Sequence, residues 1–200
     1  MTEATPSLVH DPESILERVQ PHLLFPQLQP IELELGSGDG SFLVKFANLN
    51  PQHNFIGVER LLGRLRKLEK KALKIGLTNL RLIRLEAAYL LEFMLPAQSI
   101  SAIHVYFPDP WPKRKHRKNR LINERFSVLA GQVLIPGGVI WLRTDDPDYF
   151  QQMSDVFDAN PTFEKMETPQ ELSEIITDFE RGFLARGIQT NRAAYRLKHQ

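Results

Sequence analysis

Five short apolar runs, 31–35, 54–58, 80–84, 100–107 and 139–143, alternate with segments whose apolar residues recur at helical spacing. That alternation, with links of only a few residues, leaves few architectures open. Strands that return through helices to parallel neighbours build a sheet with helices on both faces. The early runs are short and mostly apolar, as strands buried on both sides require. Helices are predicted over 42–49, 62–75, 87–94, 119–133, 147–157 and 169–175. A further strand is predicted over 162–166, and a last one, expected to be antiparallel, within 187–197. Asp11-Pro12 has the form of an N-cap followed by proline at the first helical position. It predicts a helix through Ile15, Leu16 and Val19, limited by Pro21, within an N-terminal extension of residues 1–29. The 200 residues are 42% hydrophobic, enough for one sizeable core and one domain. The fold class is therefore α/β, a doubly wound, mostly parallel sheet. Its ligand is expected beyond the carboxyl ends of the strands, at the switch in strand order.

The first strand runs directly into Glu34-Leu35-Gly36-Ser37-Gly38-Asp39-Gly40. Glycines here let the backbone turn tightly and approach a ligand closely. The dinucleotide fingerprint is G-x-G-x-x-G. In this chain the third glycine, Gly40, comes one residue early, which argues against a pyrophosphate cofactor. Glu34, at the end of the strand, fits a cationic ligand better. S-adenosylmethionine has a sulfonium, an ammonium and no phosphate. The second strand ends at Glu59, about 20 residues beyond the glycine loop, where a carboxylate can accept from ribose hydroxyls. Glu86 follows the third strand and is placed to receive an adenine amino group. Any one of these acids alone reads as a surface carboxylate or a cap. Three after three successive strands, with Gly36 and Gly38, point to a nucleoside site.

The fourth strand ends in Phe107-Pro108-Asp109-Pro110-Trp111-Pro112-Lys113. Two prolines deny Asp109 a helical backbone and stiffen it beside the proposed cofactor. Trp111 offers an apolar face, and Asp109 can accept hydrogen bonds from a guanine edge. Lys113, Arg114, Lys115, Arg117, Lys118 and Arg120 follow at once, while the whole chain carries a net charge of only +1. The rest of the chain is thus net acidic, and the positive charge is local. An aromatic face beside a basic cluster is the usual equipment for reading an exposed RNA base.

With no cysteine in the chain, disulfides, thiolate metal sites and a cysteine nucleophile are excluded. The six histidines show no metal-ligand spacing, so no metal is expected, and His104, on a predicted strand, reads as structural. There is no long apolar run and no signal-peptide pattern, so a cytoplasmic protein without a membrane span is expected.

These segments together closely resemble the bacterial tRNA (guanine-N7-)-methyltransferase family. The resemblance extends from Glu34 to about Tyr195. It rests on E-L-G-S-G-D-G, G-V-E, F-P-D-P-W-P-K with its basic run, R-T-D at 143–145 and T-D-F-E at 177–180. The F-P-D-P-W segment is the most specific; the glycine loop would suit any methyltransferase of this class. The resemblance implies the Rossmann-like class I methyltransferase fold, with S-adenosylmethionine as cofactor and a guanosine in the variable loop of tRNA as target. It implies that Glu34, Glu59, Glu86 and Asp109 bind the donor, with Asp109 also catalytic. Lys113, Asp145 and Thr177, Asp178, Phe179 and Glu180 match substrate-binding positions, which adds to the expectation for Trp111, Arg114, Lys115, Arg117 and Lys118. Glu86 and Asp178 depart from the family pattern. A monomer or homodimer is expected. Two other readings share many of these residues: a methyltransferase acting on a protein or small-molecule amine, and a non-catalytic RNA-binding protein.

Overall fold

The computed structural model describes residues 7–12 and 14–199. Eight strands form one sheet: β1 (Val9–His10), β2 (Ile31–Leu35), β3 (Asn54–Val58), β4 (Leu80–Ile83), β5 (Ile100–Tyr106), β6 (Leu134–Thr144), β7 (Phe163–Met166) and β8 (Asn191–Leu197). Their order is β1-β4-β3-β2-β5-β6-β8-β7. Every pairing from β1 to β6 is parallel, and β8 runs antiparallel to both β6 and β7. Strand order reverses between β2 and β5, so the crevice at the switch point opens beyond Leu35 and Tyr106.

The helices are α1 (Leu43–Leu49), α2 (Leu62–Lys74), α3 (Ala87–Tyr89), α4 (Glu124–Val133), α5 (Pro147–Asp158), α6 (Gln170–Glu174) and α7 (Asp178–Leu184). One π-turn, Leu90–Met94, continues α3. Two apolar clusters cover the sheet. The larger packs Phe126, Ala130, Tyr149 and Phe157 of α4 and α5 against its strands; the other packs Leu43, Leu65 and Leu68 of α1 and α2.

The expected N-terminal helix is a correction. Glu13 lies outside the described residues, and the described remainder of that segment is not helical before the 3-10 turn Pro21–Leu24. Its backbone finds partners elsewhere: Val19 N–H donates to the Met94 carbonyl at 2.8 Å, and the Ile15 carbonyl accepts from the Tyr89 hydroxyl at 3.0 Å. The residues just before it are held at the sheet edge. Val9 and His10 pair with β4 at the sheet edge, Leu82 N–H donates to the Leu8 carbonyl at 2.9 Å, and Glu69 accepts from Ser7 Oγ and Leu8 N–H at 2.9 and 3.0 Å. Pro21 opens its 3-10 turn and ends no helix. The helix expected from residue 119 begins only at Glu124, where Asn123 Oδ1 accepts from Phe126 N–H at 3.0 Å. The fifth apolar run is longer than expected, because Pro136-Gly137-Gly138 is taken into β6.

A buried polar row crosses the face under α1. Burial would raise the Glu32 carboxyl, but hydrogen bonds from His104 and His53 outweigh it and hold it at about 2. His104 Nε2 lies 2.7 Å from Glu32 and its Nδ1 lies 2.8 Å from the Tyr106 hydroxyl. His104 is thus a satisfied structural histidine, and the row fixes the Tyr106 ring at the floor of the crevice.

Candidate active site

At the carboxyl ends of β2 to β5 lies a cleft of about 400 Å³. It is lined by Gly36, Glu59, Glu86, Tyr106, Phe107, Asp109 and Trp111, among others. A smaller hollow of about 160 Å³ adjoins it and shares Gly36, Arg64, Tyr106, Phe107 and Asp109 with it. Glu34, Ser37, Gly38, Thr177 and Phe179 line that second part. A larger hollow of about 680 Å³ sits under the N-terminal segment, but none of the acidic strand ends reaches it. The candidate site is therefore this two-part cleft, where carboxylates and the glycine loop converge.

The loop's shape depends on its glycines. Gly36 and Gly38 have φ of 79° and 55°, values that side-chain-bearing residues rarely adopt. A Cβ would meet nothing within 4 Å at Gly36, so the backbone faces open space. Glu59 holds this loop in place: one oxygen accepts from Gly38 N–H at 3.1 Å, the other from Leu61 N–H at 2.7 Å. Each carboxylate oxygen retains a further acceptor site. Glu86 caps α3 by accepting from Tyr89 N–H at 2.8 Å while also lining the cleft.

Glu34 is buried, and among the described residues its Oε2 has no hydrogen-bond partner. Burial pushes its carboxyl up to about 8; Arg143 opposes the rise, and the Asp39 and Glu59 carboxylates add to it. An orphaned buried carboxyl costs stability. A cationic ligand in the adjoining hollow would relieve that cost, so the residues fit the charge of S-adenosylmethionine.

The loop after β5 is strained on both sides of Asp109. Phe107 and Trp111 have φ of 52° and 44°, each costing on the order of 1–3 kcal/mol. Arg120 keeps the loop in this shape. Its Nε donates to the Pro110 carbonyl at 2.7 Å, its other nitrogens donate to Gln152 at 2.9 Å and Asp148 at 2.6 Å, and its guanidinium lies 4.7 Å over the Tyr149 ring. Asp109 is left exposed on the cleft wall.

The family model described as "Putative methyltransferase" matches residues 28–193. A tRNA (guanine-N(7)-)-methyltransferase of Halorhodospira halophila is 36% identical over 180 residues, covering 88% of this chain and 78% of that protein. One from Streptomyces avermitilis is also 36% identical, covering 86% of this chain and 61% of its own length.

The chain belongs to the tRNA (guanine-N7-)-methyltransferase family.

Among solved structures, the 16S rRNA methyltransferase KamB superposes with a TM-score of 0.64 at 17% identity, over 86% of this chain and 89% of that one. At that identity the likeness speaks for the fold alone, the Rossmann-like class I methyltransferase architecture.

Within this methyltransferase, the cleft brings together Glu34, Gly36, Gly38, Glu59, Glu86, Asp109, Trp111, Thr177 and Phe179. The tail folds back onto this edge of the sheet. Asp178 N–H donates to Ser41 Oγ at 3.3 Å, and the Phe183 ring stands 5.6 Å from that of Phe107. Other residues lie elsewhere. Lys113, Arg114, Lys115, Arg117 and Lys118 are exposed on and beside a 3-10 helix, Arg114–Asn119, rising from the cleft rim. Arg117 is paired with Asp148 at 3.0 Å. Asp145 follows β6, outside the cleft lining, and Asp178 pairs with Arg181 in solvent. Glu180 is fully buried, its oxygens taken by Arg143 and Arg192. Arg120, counted in the basic run, is a buried strut and faces no solvent. The sequence reading missed Arg64, Tyr106 and Phe107 as lining residues. Their signal was adjacency: Arg64 is in the first turn after G-V-E, and Tyr106-Phe107 runs into Pro108.

Proposed function

We propose that this chain transfers a methyl group from S-adenosylmethionine to N7 of a guanosine in tRNA, in the cytoplasm, with the guanosine in the variable loop. The observation that carries this reading is Asp109, held exposed by a strained proline loop where the two halves of the cleft meet. When bound, the donor supplies a methyl group already activated on sulfur. Glu59 would accept from the ribose hydroxyls, Glu86 would receive the adenine amino group, and Glu34 with the glycine loop would meet the cationic end. Guanine N7 has a free lone pair, so the site needs no base to uncover it. The chain's work is alignment and charge stabilisation. Asp109 holds the base and offsets the positive charge that builds on the purine, Trp111 stacks on the exposed base, and Thr177 and Phe179 close the opposite wall. The exposed cations after Trp111 hold phosphates.

Labelled donor offered with unmodified tRNA, a protein pool and small amines checks the acceptor class. Label is expected in tRNA; label in the protein or amine fraction would favour the amine-methylating alternative, and donor binding with no transfer would leave a non-catalytic binder.

The Glu34 carboxyl gives a pH test. With its carboxyl pushed up to about 8 by burial, Glu34 is neutral at lower pH. A cationic ligand favours the ionised form, so binding is coupled to proton loss. Donor affinity should rise as pH approaches 8 and then level off, by up to about tenfold per pH unit below it. Calorimetric titration across pH, repeated with Glu34→Gln, checks this. The same rise with pH in the variant would show that Glu34 is not the titrating group, since proton loss from the donor's own ammonium would lower affinity as pH rises.

A further inference from the structure

We infer that the outward face of α2 is a second RNA-binding surface, on the opposite wall of the cleft from the basic 3-10 helix. The inference rests on tRNA being the substrate. The helix buries Leu65, Leu68 and Ala72. At about 3.6 residues per turn, the opposite side carries Arg66, Lys67, Lys70 and Lys74, all exposed. Among the described residues none of these four has a carboxylate partner. The charges that are paired sit on the flanks: Lys71 holds Asp39 at 2.8 Å on one side, and Glu69 holds the N-terminal segment on the other.

This stripe is continuous with the site. Arg64, on the flank towards the glycine loop, lines both halves of the cleft. From Arg64 to Lys74 the helix runs about 15 Å, so the stripe leads away from the cleft along the face opposite Lys113–Lys118. Gly63 lies on the same stripe. A Cβ there would meet nothing within 4 Å, so packing does not demand glycine, and its lack of a side chain leaves the first turn open to close approach. A solvated helix face of ordinary composition mixes both signs of charge; this one carries a single sign in a chain whose net charge is only +1. An anionic polymer lying across the cleft, with its target base between two basic walls, matches that distribution. The stripe therefore takes backbone phosphates of a tRNA segment other than the loop that holds the target guanosine.

The test is the triple variant Lys67→Ala, Lys70→Ala, Lys74→Ala, at exposed helical positions where alanine preserves the helix. Its tRNA affinity should fall about tenfold or more, and its log–log salt slope should flatten by about 0.7–0.9 per lost contact. Donor affinity and the rate at saturating tRNA should match the wild type. A stem–loop carrying only the target loop should bind both proteins equally. Unchanged tRNA affinity and salt slope, beside a wild type that methylates tRNA, would overturn the inference alone. A wild type that neither binds nor methylates tRNA would remove the underlying reading and this surface with it. Equal loss of affinity for the stem–loop and the full tRNA would contradict contact with a separate segment.

Discussion

Asp109→Asn is expected to lower the single-turnover methylation rate about 100-fold at saturating donor, or about 2.7 kcal/mol of transition-state stabilisation. Asparagine keeps the size and one acceptor oxygen and removes only the charge. The loop itself should persist, because Arg120 holds it through the Pro110 carbonyl and through α5, without touching the Asp109 side chain. Affinities for tRNA and donor should therefore fall much less than the rate. If Asp109 serves only to anchor the donor, rate and donor affinity fall together, and saturating donor restores the rate. Single-turnover rates measured across donor concentrations separate the two, and full recovery at saturation would leave Asp109 a binding residue.

Glu180→Ala should act on stability, although the T-D-F-E resemblance placed Glu180 at the substrate. Its carboxylate is fully buried between Arg143 and Arg192. Arg143 is itself almost fully buried; its guanidinium also donates to the Ile175 carbonyl at 2.8 Å and to that of Leu172, and it lies 4.3 Å from the Tyr106 ring centre. Removing the carboxylate leaves a buried cation short of its counter-charge, a loss of about 3–5 kcal/mol. At ~2–4 °C per kcal/mol for a domain of this size, the melting temperature should drop by ~6–20 °C. Thr177, which caps α7 by accepting from Glu180 N–H at 3.0 Å, and Phe179 are the members of the segment that line the cleft. A Glu180→Ala protein with unchanged melting temperature and a raised KM for tRNA would return Glu180 to the substrate.

Strands β2 to β6 were legible because short apolar runs alternate with segments of helical spacing, and glycine or proline closely follows β2 and β5. The convergence of Glu34, Glu59, Glu86 and Asp109 followed from topology: residues just past parallel strands meet at one edge. What escaped the sequence depends on partners distant in the chain. Arg120 is the last of six cations and looks like the rest; only Asp148 and Gln152, on a helix about one turn of the fold later, make it a strut. Glu180 is bound by arginines from β6 and β8, and no local pattern signals that pairing. The Asp11-Pro12 signal starts no helix among the described residues, where Ile15 and Val19 bond instead to Tyr89 and Met94, far along the chain. Helix α7 was missed because its start signal, Thr177 with Glu180 three residues on, was read as a substrate motif.

The most direct test is the identity of the methylated nucleoside. Unmodified tRNA incubated with the protein and S-adenosylmethionine should, after digestion and mass spectrometry, yield 7-methylguanosine from a single position in the variable loop, at an initial rate about 100-fold higher than with Asp109→Asn. A methyl group on another atom of guanine, on a different base, or on no nucleoside at all would contradict the account.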